Sequence, residues 1–468
     1  MAVYLKKFST YQEYDAYING SGAILPNVSI CTTEGDVHYN PWVDTRIVAK
    51  YNITDTSNPT RIIGQHSVNP FSAIEIDGVE QQSLTTGYTF STTGEHIIKY
   101  TLTDATVISE DAFRACSGIT DIIIPNNVTS VGNESFMFCR TLTSVTISSG
   151  VTTIGDYAFD GCSGLTSIDI PSGVTSIGSR AFEGCSGLTS IVIPSGVTSI
   201  SIQTFYQCSS LTSIDIPSGV TSIGQSAFTN CYSLTRLNSD VDGVFNIPSG
   251  ATSIGMSAFY KCSGFTSINI PDSVTSIGDS AFTYCTTLTS CTIGSGLTII
   301  SGSMFNNCKS LVRINSDVDG VFNLPSSVTD IQNYAFNGCD KATIINIPSG
   351  VTNIKYFAFF NCTGLTSLNI PDSVTNIYDY AFQNCYSISS CTIGSGVTSI
   401  GNQALYGCSG LTSIVSNATT APSIQSKTFR YVKTNGTLTV PIGSSGYDVW
   451  MGTGNYYLGK YNWTKVEQ

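Results

Sequence analysis

Apolar residues recur along most of this chain with a fixed period. The motif Ala-Phe-x-x-Cys, with few departures, returns every 23 residues from Cys116 to Cys231. The cysteine series then continues to Cys408, and two of its intervals are lengthened to 31 residues. A period of about 20 to 29 residues is typical of solenoids, in which one coil cannot bury its apolar face without neighbours. The pattern therefore predicts a stack of coils.

The unit at residues 162–185 shows which positions point inward. A β-branched strand ends at Pro171, which lacks an N–H, and Ser-Gly then turns the chain into a second short strand. We expect a tight 3₁₀-like turn from Gly178 to Cys185. Stacking predicts parallel strands about 4.8 Å apart. The apolar set expected inside is Leu165, Ile168, Ile170, Val174, Ile177, Ala181, Phe182 and Cys185.

The repeat L-x-x-I-x-I-P-x-x-V-T-x-I-G-x-x-A-F-x-x-C resembles the BspA-like leucine-rich repeats of bacterial surface and secreted proteins. The resemblance covers about residues 104–430, with Thr204 and Met304 in place of Ala and Leu405 in place of Phe. It implies a mainly β fold, a leucine-rich-repeat solenoid of parallel strands and short 3₁₀ turns. It also implies a non-catalytic scaffold used in adhesion to host proteins or to other cells.

Residues 1–45 differ in kind from the repeats. The residues predict a strand at 3–8, a short helix opened by a capping box at Thr10 and Glu13, and then strand, turn and strand in NVSICTTEGDVHYNP. The stretch LPNVSICTTEGDVHYNP resembles N-terminal segments of structural proteins from tailed phages of gut bacteria. We therefore expect this small α+β segment to dock the chain on a larger assembly.

Two further segments flank the repeats. Residues 46–103 alternate as strands do, with turns at Asp77-Gly78 and Thr93-Gly94, and predict an Ig-like β-sandwich spacer. Residues 431–468 are rich in aromatic residues, which either cap the last coil or stack on sugar rings. These aromatic residues are Tyr447, Trp450, Tyr456, Tyr457, Tyr461 and Trp463.

Composition excludes several classes of function. Only 11% of the residues are charged and the net charge is −12, which argues against nucleic acid as a partner. No run of eighteen apolar residues occurs, so no membrane span is expected. The start, MAVYLKKF, lacks the apolar region of a secretory signal peptide.

The sixteen cysteines are expected to be reduced. One cysteine per coil, never in pairs, is typical of a small buried hydrophobic residue, and a ladder of this kind does not converge on a zinc ion. Cys291 and Cys391 replace a strand isoleucine. The three histidines, His38, His66 and His96, lie far apart in sequence and form no catalytic grouping. The sequence therefore predicts no enzyme, no cofactor and no metal.

The outward strand positions form a polar lattice on the inner face of the predicted solenoid. The lattice either binds sugars or extended peptide through many weak hydrogen bonds, or is only solvated β-compatible surface. Binding to ice is a further reading of its threonine rows. The candidate ligand-binding residues are Thr166, Ser167, Asp169, Thr189, Ser190, Thr212, Ser213, Asp215, Thr266, Ser267, Asn269, Thr366, Ser367 and Asn369.

Two near-identical insertions, at residues 236–248 and 313–325, carry the phrase NSDVDGVFN. Their spacing matches the front half of a calcium loop, but Ser249 and Ser326 stand where the bidentate Glu would be needed. The alternative is a β-hairpin with Asp-Gly in a type I′ turn. The weak calcium candidates are Asn238, Asp240, Asp242, Asn315, Asp317 and Asp319.

These observations predict a recognition or adhesion protein whose solenoid binds a cell-surface glycan or protein. The N-terminal resemblance favours display on a phage particle, as a fibre or surface decoration, and hence a virion location. A bacterial cell-surface adhesin and a purely structural spacer or assembly protein are the alternatives. The sequence leaves a homo-oligomer open.

Overall fold

The computed structural model describes residues 30–31, 37–38, 44–64, 70–454 and 456–468. Strand Ile30–Cys31 pairs antiparallel with Val37–His38, and both are strands that the sequence predicts there. The turn expected between them lies outside the described residues. The strand predicted at residues 3–8 and the helix predicted from Thr10 lie outside the described residues. An α+β segment at residues 1–45 is therefore not confirmed.

Residues 44–103 join the solenoid directly. Their strands are Ile47–Ile53, Thr60–Arg61, Phe71–Ile76, Val79–Glu80, Gly87–Tyr88 and Gly94–Leu102. Strand Ile47–Ile53 pairs antiparallel with Gly94–Leu102 on one side and with the solenoid strand Ile119–Ile124 on the other. One mixed six-stranded sheet therefore runs from this segment into the repeats.

The predicted Ig-like sandwich is not confirmed. A sandwich requires two sheets packed face to face. Here the main strands of residues 46–103 lie in a single sheet, because the free edge of Ile47–Ile53 pairs with the first coil instead of closing a domain of its own. The inward face of this sheet packs on the first coil, where the rings of Phe71 and Phe113 lie 5.2 Å apart.

Most coils contribute a strand to a parallel array that we call the first ladder, and the coil at 162–185 contributes only a bridge at Ser167. The alternation of Ser and Ile places every second side chain outside, as in any pleated strand. The strands of the first ladder are Ile119–Ile124, Ser144–Ile147, Ser190–Val192, Ser213–Asp215, Arg236–Leu237, Val244–Asn246, Ser267–Ile270, Ser290–Ile293, Arg313–Ile314, Val321–Asn323, Ile344–Asn346, Ser367–Ile370, Ser390–Ile393, Ser413–Ser416, Thr437–Val440 and Thr464–Glu467.

A second ladder of two-residue parallel strands follows the Pro-x-x-Val turn of each coil. It is divided into sheets of four, four and six strands. Its strands are Val107–Ile108, Ser130–Val131, Thr153–Ile154, Ser176–Ile177, Ser199–Ile200, Ser222–Ile223, Ser253–Ile254, Ser276–Ile277, Ile299–Ile300, Asp330–Ile331, Asn353–Ile354, Asn376–Ile377, Ser399–Ile400 and Ser423–Ile424.

The third side of each coil is a chain of β-turns and not the 3₁₀ turn that was expected. In the unit at 162–185, Arg180 and Gly184 have left-handed backbone conformations, with φ of 59° and 66°. These residues and Phe182 donate their N–H groups to the next coil, whereas Glu183 and Cys185 donate three residues back. Left-handed residues interrupt the helical path, so alternate amides point along the stack. Within the described residues the 3₁₀ helix is Leu458–Tyr461, near the C-terminus.

A column of phenylalanines forms the centre of the core. From Phe113 to Phe382, rings in successive coils stack with centroids 5.1–5.7 Å apart and planes within 16° of parallel. The cysteines form a second column beside it, and the fifteen described ones are buried and unpaired. The expectation of buried, reduced cysteines is confirmed for these fifteen.

The insertions are not hairpins, and that prediction was wrong. Leu237 pairs with Phe245 in parallel, and Ile314 pairs with Phe322 in the same way. Each insertion is therefore a small extra coil that adds a strand to the first ladder. The parallel return is favoured because Asn238 takes a left-handed conformation, with φ of 49°, and its carbonyl accepts a hydrogen bond from the side chain of Asn246 at 3.0 Å.

The C-terminal residues close the stack. Tyr447, Trp450 and Trp463 are buried, and the indole Nε1 of Trp450 donates to the carbonyl of Pro422 at 2.9 Å. These three aromatic residues thus belong to the buried core at this end of the solenoid, and the assignment of residues 431–468 as a cap stays a prediction. Within the described residues, no helix has both the length and the apolar character that a membrane crossing would require.

Candidate recognition surface

The exposed face of the first ladder carries two outward rows of side chains. One row is mostly serine, and the other is Asp, Asn, Thr or Val. Parallel pairing keeps the rows in register, with Ser190 beside Ser213 and Val192 beside Asp215. The same register brings Asn269 beside Thr292 in a later coil. Side chains of one type therefore repeat at the strand spacing of about 4.8 Å.

The sequence-predicted candidates lie on this face as expected. None of them is fully buried; Ser213, Ser267 and Ser367 are half-buried and the others are exposed. The exposed candidates are Thr166, Ser167, Asp169, Thr189, Ser190, Thr212, Asp215, Thr266, Asn269, Thr366 and Asn369. No ligand contact tests their role, which stays a prediction.

The threonines on this face brace the stack. The Thr189 hydroxyl donates to the carbonyl of Thr166 at 3.2 Å, and Thr212 donates to Thr189 at 3.0 Å. Thr366 makes the same bond to Thr343 at 3.1 Å. A hydroxyl has one proton to donate, so each of these threonines can offer a ligand only its lone pairs. Sequence alone could not show this, because the partner lies 23 residues away.

The serine row and the row of Asp, Asn, Thr or Val keep more of their hydrogen-bonding capacity than these threonines do. Across the part of the chain that the structure describes, the side chains of Ser167, Ser190, Asp169 and Asp215 make no hydrogen bond within the protein. Ser267 is different, because its hydroxyl donates to the carbonyl of Gly243 at 3.3 Å. Among the described residues, the side chains of the later candidates Asn269, Ser367 and Asn369 also make no hydrogen bond. The free capacity for a ligand therefore runs along the face and includes the region of residues 167–215.

The first ladder is interrupted at the start of that region. Strand Ser144–Ile147 pairs only with Ile119–Ile124, and Ser167 makes a single bridge to Ser190 on its far side. Between them lies an open depression of about 220 Å³, lined by residues 144–147 and 167–169. The predicted candidates Ser167 and Asp169 form one wall. Ser144 and Thr146, which are not among the sequence-predicted candidates, form the other wall.

The insertions do not assemble a calcium site. The side-chain oxygen of Asn238 accepts the N–H of Ile216 at 2.7 Å, while Asp242 lies 3.3 Å from Arg236 in an ion pair. The second insertion repeats this arrangement: Asn315 accepts from Ile293, and Asp319 pairs with Arg313. The candidate ligands thus contact separate partners instead of converging on one point.

No group of three or more His, Cys, Asp and Glu side chains placed to hold a metal occurs within the described ranges. His96 is structural. Its Nδ1 lies 2.6 Å from Asp77 and its Nε2 lies 2.9 Å from the carbonyl of Thr92. The described thiols are poor nucleophiles, since burial raises their pKa values, that of Cys139 to about 12.

The repeats decide the family. The sequence profile described as "BspA type Leucine rich repeat region (6 copies)" matches residues 71–239, 243–319 and 320–435. This chain belongs to the BspA-type leucine-rich-repeat family. Breaks between the matched segments fall within the two insertions, where the structure adds a short coil. The match begins at residue 71, so the phage resemblance of residues 1–45 stays a prediction.

Bacterial leucine-rich-repeat proteins are among the solved structures that this chain matches. One from Bacteroides ovatus is 24% identical, with a TM-score of 0.60 over 90% of this chain and 98% of that one. A leucine rich cell surface protein from Faecalibacterium prausnitzii is 27% identical over 68% and 84%, with a TM-score of 0.34. The pneumococcal vaccine antigen PcpA is 18% identical over 77% and 92%, with a TM-score of 0.43. The Bacteroides ovatus protein supports the fold.

The curated proteins include no match to this chain. Family membership therefore supports a bacterial-type repeat scaffold of the kind found in surface and binding proteins. What this BspA-type chain binds has to be argued from its own surface.

Proposed function

We propose that this chain is a non-enzymatic recognition protein. In this proposal, the exposed face of the first ladder binds an extended glycan or protein segment on a cell surface. The observation that carries the proposal is the coincidence of unbonded serine and aspartate side chains with the open depression between residues 144–147 and 167–169. Polar groups and a concavity together favour a ligand over plain solvated surface.

The arrangement favours a ligand that is itself extended. Hydroxyls repeat in register along Ser167, Ser190 and Ser213, so an extended ligand meets many equivalent groups. Each contact is weak, but linked contacts raise the overall affinity through effective concentration. Strand Ser144–Ile147 also has one unpaired edge, and such an edge can pair with an extended peptide.

A matched pair of triple variants tests the proposal. The first replaces Ser167, Asp169 and Ser190 by Ala on the first ladder, two of which line the depression. The control replaces Ser176, Ser199 and Ser222 by Ala, which are outward residues of the second ladder in coils of the same region. We expect binding to glycan arrays or intact bacterial cells to be lost in the first variant only. Equal binding by both variants would refute the assignment of the face.

The location of the chain is a separate part of the proposal. We place it on a phage particle, fastened by residues 1–45, with a bacterial cell surface as the alternative carrier. The support is the resemblance of that segment to phage structural proteins. Deleting residues 1–45 should abolish incorporation into the particle and leave a folded solenoid, because each coil is stabilised by its neighbours. Normal incorporation of the truncated chain would favour the spacer function instead.

A further inference from the structure

The cap presents a cluster of tyrosines around two cations. The Arg430 guanidinium lies 4.7 Å from the ring centroid of Tyr431 and 4.4 Å from that of Tyr456. The Lys460 ammonium lies 4.5 Å from the same Tyr456 ring. We call this set, with the neighbouring Tyr461, the arginine–tyrosine cluster.

The two cations have no carboxylate partner. Among the described residues, every ion pair involves other side chains than Arg430 and Lys460. Arg180 provides the contrast within the same chain. It also lies over a tyrosine, at 5.2 Å from the Tyr157 centroid, but Glu183 is 3.6 Å from its Nε. Stacking on tyrosine therefore does not by itself leave an arginine without a counter-ion.

The phenol oxygens of Tyr431 and Tyr461 each accept one hydrogen bond within the protein. The Tyr431 hydroxyl oxygen accepts a hydrogen bond from Arg430 at 2.7 Å. The Tyr461 hydroxyl oxygen accepts the backbone N–H of Tyr431 at 3.0 Å. Each phenol has one proton left to donate. The Nε of Arg430 also lacks a hydrogen-bond partner among the described residues, but this atom is buried and is not counted as a donor to a ligand. A set of spare donors and two cations favours an anion.

We propose that the arginine–tyrosine cluster binds the carboxylate of an acidic sugar, such as a uronic acid, at the end of a cell-surface glycan. This proposal rests on the recognition function argued above and adds a ligand class and a second contact point. The planar guanidinium of Arg430 matches a carboxylate, and Tyr431, which is 49% exposed, offers an aromatic surface beside it.

The net charge of the chain limits the kinds of anion that the cluster can bind. A net charge of −12 repels a polyanion such as nucleic acid at long range. A neutral glycan that carries a single carboxylate meets little of this repulsion, because screening leaves mainly the charges within about 10 Å. The cluster therefore selects one acidic group on an otherwise uncharged ligand.

Calorimetric or NMR titration of the full chain tests the proposal. The ligands are methyl glucuronide, the neutral methyl glucoside and inorganic phosphate. We expect the glucuronide to bind about tenfold or more tightly than the glucoside, as a charge-assisted hydrogen bond allows. Arg430→Gln should remove that preference, and the matched Arg180→Gln should keep it. Lys460→Gln, which should weaken glucuronide binding, provides a second variant if Arg430→Gln lowers the stability of the cap.

Three results would overturn the proposal. They are equal affinity for glucuronide and glucoside, glucuronide binding that is unchanged in Arg430→Gln, and phosphate binding as tight as that of glucuronide. The outcome is separable from the test of the first ladder. Cell binding that is lost in the Ser167, Asp169 and Ser190 variant but unchanged in Arg430→Gln would refute the acidic-sugar site and leave the recognition function standing.

Discussion

The Sγ of Cys185 donates a hydrogen bond to the carbonyl oxygen of Phe159 in the preceding coil, at 3.1 Å. The same oxygen accepts the backbone N–H of Cys162 in its own coil. One carbonyl thus ties two coils together inside the core. Cysteine suits this position because it is small, largely apolar and still a weak donor. Equivalent bonds of 3.0–3.4 Å are made by Cys139, Cys162, Cys208, Cys231, Cys262, Cys285, Cys308, Cys339, Cys362, Cys385 and Cys408.

We predict that the native chain is nearly inert to thiol reagents. The fifteen described cysteines are buried and unpaired, so they should react within seconds only after denaturation. Titration with a disulfide reagent at pH 8, before and after adding guanidinium, measures this. The denatured chain should yield close to sixteen thiols without reductant. A yield of only a few thiols would show that the cysteines form disulfides.

Stability should fall above about pH 9. Burial raises the pKa of Cys139 from its ordinary value of 9.0 to about 12. It also raises the pKa values of the other described thiols, such as Cys185. The unfolded chain then loses thiol protons that the folded chain keeps, so the free energy of unfolding decreases as pH rises through this range. Urea unfolding at pH 7, 9 and 10.5 should show a falling midpoint. A midpoint that does not change would contradict the buried ladder.

Phe182→Ala should destabilise the solenoid by about 3–5 kcal/mol, because it opens a cavity in the phenylalanine column. The ring lies 5.5 Å from Phe159 and 5.7 Å from Phe205, and the side chain is fully buried. Thr189→Ser is the outward control and should change stability by no more than about 0.5 kcal/mol, since its hydroxyl can still donate to the preceding coil. Similar losses in both variants, measured by urea unfolding, would mean that the inward and outward positions are misassigned.

The inward positions were predictable because they depend only on local alternation. Leu165, Ile168 and Phe182 are buried as the repeat predicts, whereas Ile170 is only half-buried. The sequence could not show how separate segments pair. Nothing local in Ile47–Ile53 indicates that one edge binds the first coil.

The prediction of β-hairpins at the two insertions was wrong for a similar reason. The Asp-Gly signal favours a tight antiparallel turn, but Asn238 and Asn246 stabilise a parallel return through side-chain bonds that only the folded chain reveals. The arginine–tyrosine cluster was missed in part. Tyr456 and Tyr461 were noted as sugar-stacking candidates, but the lack of an acid near Arg430 is a property of the assembled cap.

Asp160→Thr should stabilise the chain at pH 8 by about 1–2 kcal/mol. Burial, with a smaller effect of Glu183, raises the pKa of Asp160 to about 6. The folded chain thus favours the protonated acid, so wild-type stability decreases as pH rises from about 4 to above 6. Thr229, which occupies the same place in a later coil, donates to the carbonyl of Ser257 at 2.6 Å.

Thermal unfolding at pH 4 and pH 8 measures the effect. The gain from Asp160→Thr should be larger at pH 8. Asp169→Asn, which changes an exposed carboxylate, is the control and should have little effect at either pH. An equal shift from both variants would contradict the burial argument.

The N-terminal sheet should be more stable in mild acid than in mild base. Burial alone would lower the pKa of His96, but its hydrogen bonds to Asp77 and to the Thr92 carbonyl outweigh burial and raise it. A raised histidine pKa stabilises the fold below about pH 6.5, and this contribution is lost as pH rises through the folded-state value. Hydrogen exchange of strand Gly94–Leu102 at pH 5.5 and pH 8 measures this contribution to stability. Asp77→Asn should remove most of the difference, and a difference that persists would rule out this ion pair as its source.

The two small extra coils make the sides of the stack unequal in length. Between the strands Ser213–Asp215 and Val244–Asn246 the first ladder contains the additional strand Arg236–Leu237, whereas the second ladder passes from Ser222–Ile223 directly to Ser253–Ile254. One side therefore grows by about 4.8 Å at each insertion. We expect the stack to bend there with the first ladder on the outer side of the bend, whereas the sequence predicted the polar lattice on the inner face. Eight residues inserted twice can thus set the curvature of a binding face and leave the core motif unchanged.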